Sequence, residues 1–189
     1  FKTQVNAKYA FYRTHYVNND DKLIHVDNLY KQREIYLSSA NVYSILSNWD
    51  VSASYDLQWN KMNADMYGFV YPERFTNLLS VATALRLGKV KLQASGLATF
   101  INDRVEEGPA PEARQILTPA VFASYKPFEK QDFNVRAFYK RIFRMPTFND
   151  LYYADMGISK LNPEYVTQYD AGFAYTKTWE NHLFYRFKI

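Results

Sequence analysis

Trp49-Asp50-Val51-Ser52-Ala53-Ser54-Tyr55-Asp56-Leu57-Gln58-Trp59-Asn60 alternates strictly, with every odd position apolar and every even position polar. Successive side chains of a strand point to opposite faces, so this stretch is a strand with two different solvents on its two sides. Residues 1–12 repeat the pattern loosely, Val5, Ala7, Tyr9 and Phe11 opposing Lys2, Gln4, Asn6 and Lys8. Residues 89–100 do the same with Val90, Leu92, Ala94 and Phe100 against Lys91, Gln93 and Thr99. Further strands rich in Tyr, Phe, Val and Thr read at 31–46, 75–88, 117–126, 132–146, 165–177 and 182–189. The 31–46 segment changes phase near Ser38-Ser39, which predicts a bulge, and no window carries a helical stripe. The fold class is all-β, with nine antiparallel strands.

The connections alternate in length. Long ones at 18–29, 64–74, 103–116 and 147–164 alternate with short ones near Ser47-Asn48, at Gly88, around Pro127–Gln131 and around Thr178–Asn181. All the long loops therefore gather at one end of the sheet. Transmembrane β-barrels have this asymmetry, together with strands of roughly ten residues and aromatic girdles at both interfaces. The composition agrees: 17 Tyr, 14 Phe and 3 Trp make the chain 18% aromatic while its apolar fraction is an ordinary 48%. Trp49 and Trp59 share a face ten positions apart, which in a strand tilted near 45° places them roughly 23 Å apart along the membrane normal. They are the girdle candidates.

Other classes are disfavoured. The 189 residues carry a net charge of +4 with signs interspersed, not the basic block that a phosphate backbone needs, so no nucleic acid is expected. The absence of Cys excludes disulfides, thiolate metal sites and thiol catalysis. No nucleophile elbow, phosphate-binding glycine loop or His-Glu-x-x-His stands in the sequence, so no enzyme is expected. His15, His25 and His182 are scattered and predict no metal site. Glu106-Glu107 and Asp20-Asp21 read as solvated loop acids.

One stretch carries a recognisable motif: Phe143-Arg144-Met145-Pro146-Thr147-Phe148-Asn149-Asp150-Leu151-Tyr152-Tyr153, then Gly157, Leu161-Asn162-Pro163-Glu164 and Gln168-Tyr169-Asp170-Ala171-Gly172. Pro146 ends a strand and Pro163-Glu164 sets up the next. In order and spacing this resembles the barrel of TonB-dependent outer-membrane receptors, whose motif falls here on Phe143, Arg144, Pro146, Leu151, Tyr152, Leu161, Pro163, Glu164 and Gly172. Gly157 is followed by Ile158-Ser159-Lys160 where the family usually has Asn-Pro. The likeness is closest to receptors for vitamin B12 and iron–siderophore complexes, in the versions found in Bacteroidota.

The resemblance implies a 22-stranded plugged barrel in the outer membrane of a Gram-negative bacterium, importing a scarce ligand with energy delivered by the TonB complex. Residues 1–189 are then a fragment of the barrel wall, with the plug and the TonB-contact segment absent. Cobalamin, siderophore and haem all remain open as ligands, and no cofactor is implied. Phe148, Tyr152 and Tyr153 are candidates to stack on the ligand and Asn149 and Asp150 to hydrogen-bond it, against the plainer reading that they pack the loop on the rim. Arg136, Lys140 and Arg144 share a polar strand face and are candidates to meet a plug, against the plainer reading of a solvated lumen face. Outer-membrane lipid is an expected partner, and open sheet edges predict pairing with another chain. Two rival readings stand beside this one: a small complete outer-membrane barrel with a structural or adhesive role, and a soluble β-sheet binding module.

Overall fold

The computed structural model describes residues 1–19, 25–108, 110–152, 161–179 and 183–188. Nine strands follow one another: β1 Lys2–Asn18, β2 Val26–Leu46, β3 Trp49–Ala64, β4 Glu73–Leu87, β5 Val90–Arg104, β6 Arg114–Tyr125, β7 Asp132–Arg144, β8 Glu164–Trp179 and β9 Leu183–Lys188. Their order in the sheet is their order in the chain, and every neighbouring pair is antiparallel. The sequence reading of nine meandering strands therefore holds. Most strands run further than expected at the long-loop end, so the long connections shrink to 65–72 and 105–113, while that between β7 and β8 stays long. At the other end Gly88 takes φ +54 as the first of two turn residues, a position where a side chain is strained and glycine is not.

Register fixes which residues share a face. Tyr9, Ile35, Trp59 and Phe75 stand side by side across β1 to β4, and Val81, Gly96 and Pro119 across β4 to β6. This outer face carries large exposed apolar side chains, among them Val5, Leu37, Tyr55, Leu79, Val81, Leu117 and Tyr169. The inner face carries Asn6, Ser38, Asp56, Gln58, Asn60, Gln93 and Ser95. Trp49 and Trp59 both lie on the outer face, each indole tied to the next strand, Trp49 Nε1 to Thr83 Oγ1 at 2.9 Å and Trp59 Nε1 to Glu73 Oε1 at 2.6 Å.

Two expectations are corrected. No bulge falls at Ser38-Ser39, where β2 pairs without interruption with both β1 and β3; the register shift lies between Ser44 and Leu46. The apparent phase change arises because Ser39 and Asn41 occupy outer positions and satisfy each other and Thr3, through Asn41 Nδ2 to Ser39 Oγ at 3.3 Å and Thr3 Oγ1 to Asn41 Oδ1 at 2.9 Å. A helix also exists: α1, Phe148–Tyr152, a single turn too short to show a stripe. Thr147 caps it, its amide and hydroxyl both donating to Asp150 Oδ2, at 2.8 and 2.9 Å, while its Oγ1 accepts from the Asp150 amide at 3.3 Å.

Helix α1 positions the core. It follows β7, yet Phe148 packs on Tyr30 and Met62 of β2 and β3, with Ala64 and Phe69 completing a buried cluster. Five strand spacings separate β7 from β2, roughly 24 Å in a flat sheet, whereas the four residues from Arg144 to Phe148 span at most about 14 Å. The sheet therefore curls around its inner face, and residues 145–152, the described part of the β7–β8 connection that follows β7, reach across the concavity at the long-loop end. Tyr71, at φ +47, is held beside this cluster by edge-on contact with Phe69, ring centres 5.4 Å apart.

Candidate functional site

The inner face at the long-loop end is where chain, charge and cavity meet. Arg74 on β4 and Asp103 on β5 are direct cross-strand partners, both pointing inward and both buried. The guanidinium grips the carboxylate with two prongs, Nε to Oδ1 at 2.6 Å and Nη2 to Oδ2 at 2.7 Å, and spends its remaining nitrogen on the Pro146 carbonyl at 2.7 Å. Its plane also faces the Phe148 ring, 5.2 Å from the centre. One fork thus fixes β4 to β5 and pins the crossing segment where Pro146 leaves β7. Sequence reasoning missed both residues because it placed 64–74 and 103–116 in loops; an inward alternation carried a few residues further along β4 and β5 was the available signal.

A second charged tie holds the other side. Arg144 Nη2 lies 3.2 Å from Asp150 and Nη1 lies 3.8 Å from Glu164, its cross-strand partner, so it links the helix to the start of β8. Hydrogen bonds from the Thr147 amide and hydroxyl hold the Asp150 carboxyl below the usual carboxylate range, with the Arg144 charge helping. Burial pushes the Tyr152 phenol up, and the Asp103 charge adds to this.

The expected site residues divide accordingly. Phe148 and Leu151 are buried against the wall, and Pro146 and Pro163 are buried with them. Tyr152 is half-buried, its ring 6.0 Å from that of Phe148. Asn149 is exposed and borders a cavity of about 290 Å³ with Tyr12, Thr14, Gln32 and Glu34. Tyr153, Gly157 and His182 lie outside the described residues. Leu161 is exposed beside the start of β8, and Gly172 stands opposite Arg136 in β8.

Beneath the crossing segment lies a cavity of about 370 Å³ between Met145, Thr147 and Phe148 above and Gln58, Asn60 and Thr99 of the wall. Its lining mixes the amides and hydroxyls of Gln32, Gln58, Asn60 and Thr76 with apolar Leu78, Ile101 and Phe143, and the Thr99 hydroxyl is buried without a hydrogen-bond partner among the described residues. Glu34, also at its edge, is paired with Lys8 at 2.9 Å. A third cavity, about 530 Å³, sits nearer the short turns and is floored by small residues such as Ser52, Ala82, Ala84, Ser95 and Ala120. Lys140 lines it, while Arg136 and Arg144 share its strand face, alternating with Phe138 and Ile142. Arg136, Lys140 and Arg144 therefore do share the inner face. Among the described residues no group of His, Cys, Asp and Glu is arranged to hold a metal ion.

A curled antiparallel meander with an apolar outer face, a polar inner face and all long loops at one end is the wall of a large β-barrel. The chain belongs to the TonB dependent receptor-like, beta-barrel family, whose model matches residues 1–186. No curated protein matches its sequence. Among solved structures it is similar to one titled "Copper transporter OprC", with 13% identity over 92% of this chain and a TM-score of 0.66. It is also similar to the structure of the FpvAI–pyocin S2 complex, with 14% identity over 92% of this chain and a TM-score of 0.52. It spans 33% and 28% of those two chains, about a third of their length. At such identities the likeness is one of fold.

Proposed function

We propose that residues 1–189 form part of the wall of an outer-membrane receptor that captures a scarce ligand, cobalamin or an iron–siderophore complex, and imports it with energy delivered by TonB. The observation that carries this reading is the division of the sheet: an apolar, aromatic outer face fit for lipid, and a polar inner face across which a loop is pinned by the Arg74–Asp103 fork. Family membership supplies the transport context. In this reading the remainder of a 22-stranded barrel, a plug and a TonB-contact segment belong to the full-length protein. Trp49 and Trp59 are girdle residues at the two interfaces. Arg136, Lys140 and Arg144 line the lumen beside the plug.

Within the site, Asn149 is the ligand contact the geometry favours, since it is exposed and borders the cavity of about 290 Å³, whereas Tyr152 is half-buried against Phe148 and offers the ligand only its remaining exposed edge. Phe148 and Asp150 act at one remove, because one is buried in the wall and the other is committed to capping α1. The test is uptake of labelled cobalamin and labelled ferric siderophores by cells with and without the full-length protein, and by cells lacking TonB. The expected result is uptake of one ligand that requires both proteins. Uptake of every ligand at the same rate in the deletion strain would overturn the reading, and uptake that survives loss of TonB would remove the energy source from it.

A further inference from the structure

The cavity beneath the crossing segment holds polar groups that the fold does not use. Thr99 of β5 faces it from the inner surface, only 2% exposed, and its hydroxyl has no hydrogen-bond partner among the described residues. A buried polar group left unpaired costs free energy, so one that persists calls for a partner from outside the chain. Gln58 and Thr76 border the same space, and their side chains form no hydrogen bond with any described residue. Asn60, 8% exposed, accepts a long bond from Gln32 at 3.4 Å. The cavity of about 290 Å³ shares Gln32 and Glu34 with this one and adds Tyr12, Thr14 and Asn149.

The charged side chains lining the two cavities are Arg74 and Glu34, and both are committed. Arg74 uses all three guanidinium nitrogens on Asp103 and Pro146. Glu34 is paired with Lys8 at 2.9 Å, and Lys8 also donates to Tyr12 Oη at 3.3 Å. Of the other inner-face cations, Arg114 donates to Asn162 at 3.3 Å, Arg144 is paired with Asp150, and Lys140 lines the separate cavity nearer the short turns. Asp56, one inward position below Gln58, adds negative charge. An anionic group would therefore meet no uncommitted cation here, and apolar Leu78, Ile101 and Phe143 raise the cost of bringing a charge in. Amides and hydroxyls both donate and accept, whereas a carboxylate only accepts and would leave the Gln58 and Asn60 oxygens unmatched. We infer that Thr99, Gln58 and Thr76 form a subsite for an uncharged hydroxyl or carboxamide of the captured ligand, held beneath Thr147 and Phe148, and that this subsite selects neutral ligands over anionic ones. The inference rests on the receptor reading above and narrows its ligand.

The test uses the full-length protein in mild detergent, as wild type, Thr99→Val and Thr99→Ser. Equilibrium binding is measured with three probes: cyanocobalamin, a neutral ferric trihydroxamate and an anionic ferric tricatecholate. The wild type binds at least one neutral probe and holds the tricatecholate at least about 100-fold more weakly. Which neutral probe it binds tells a corrinoid from an iron complex as the source of the uncharged group. Thr99→Val keeps the shape but loses the hydroxyl, so the neutral probe binds about tenfold more weakly, while Thr99→Ser binds it like the wild type. Thermal unfolding separates this role from a structural one: without ligand, Thr99→Val unfolds at a temperature no lower than the wild type, because the hydroxyl it removes has no partner in the wall. Equal affinity of the wild type for neutral and anionic probes, unchanged affinity in Thr99→Val, or a lowered unfolding temperature in that variant would each overturn the inference. A wild type that binds none of the three probes would instead overturn the receptor reading on which it rests.

Discussion

Strand β3 presents two surfaces built from alternate residues of one sequence, and they are stabilised by opposite means. Outward, Val51, Ala53, Tyr55 and Leu57 make no use of polar pairing beyond single contacts such as Tyr55 Oη to Asn77 Oδ1 at 2.6 Å, and their exposure is tolerable only beside an apolar solvent. Inward, Asn60 and Met62 are buried by chain folded back from β7, and the polar groups around them are tied by hydrogen bonds and one buried ion pair. The outer face thus depends on its surroundings, whereas the inner face depends on the β7–β8 connection. Substitutions on the two sides should therefore fail differently.

The largest effect is expected at the inner fork. Asp103→Ala leaves the Arg74 guanidinium buried without its carboxylate, a loss of about 3–5 kcal/mol, whereas the double change Arg74→Met/Asp103→Leu removes both charges and costs much less. Denaturant unfolding of the refolded barrel checks this; equal losses in the two variants would contradict it. On the outer face, Ala53→Arg places a charge midway between Trp49 and Trp59 and costs about 2–4 kcal/mol in a bilayer, while Ser54→Arg, one residue on and facing inward, stays within about 1 kcal/mol. Reversal of that order would exchange the two faces.

Smaller effects belong to the crossing segment. Thr147→Ala removes the cap of α1 and is expected to cost about 1 kcal/mol, read as faster hydrogen exchange confined to 147–152. The depressed Asp150 carboxyl gives a pH signature. Its contribution is full above the ordinary carboxylate range, near pH 4, and is lost as pH falls through its lower folded value, so α1 loosens only in strong acid. Exchange at Thr147, corrected for its intrinsic pH dependence, should rise below about pH 4 in the wild type and lose that dependence in Asp150→Asn.

The contrast between the faces also explains what could be read in advance. β3 was legible because its two solvents differ at every step, and the alternation of turn lengths gave the topology without reference to any contact. β2 was harder, since Ser39 and Asn41 are polar on the outer face and Ala40 and Val42 apolar on the inner one, and only the pairing with Thr3 makes sense of the first two. Arg74 and Asp103 could not be matched from sequence because their partnership depends on the register of β4 against β5, set many residues away. The helix was written as Thr147-x-x-Asp150, a capping pair hidden in a segment too short for periodicity. That Phe148 would be buried against β2 depended on sheet curvature, which no local pattern encodes.

The central claim, that one sheet separates lipid from a polar interior, is tested most directly by single-cysteine scanning along β3. These 189 residues contain no Cys, so each probe placed in them stands alone in this segment. In the full-length protein held in native outer membrane, a water-soluble maleimide should label cysteines at Ser52, Ser54, Asp56 and Gln58 and spare those at Val51, Ala53, Tyr55 and Leu57, with the pattern lost on unfolding. Equal labelling at both sets, or protection of the even positions alone, would contradict the account.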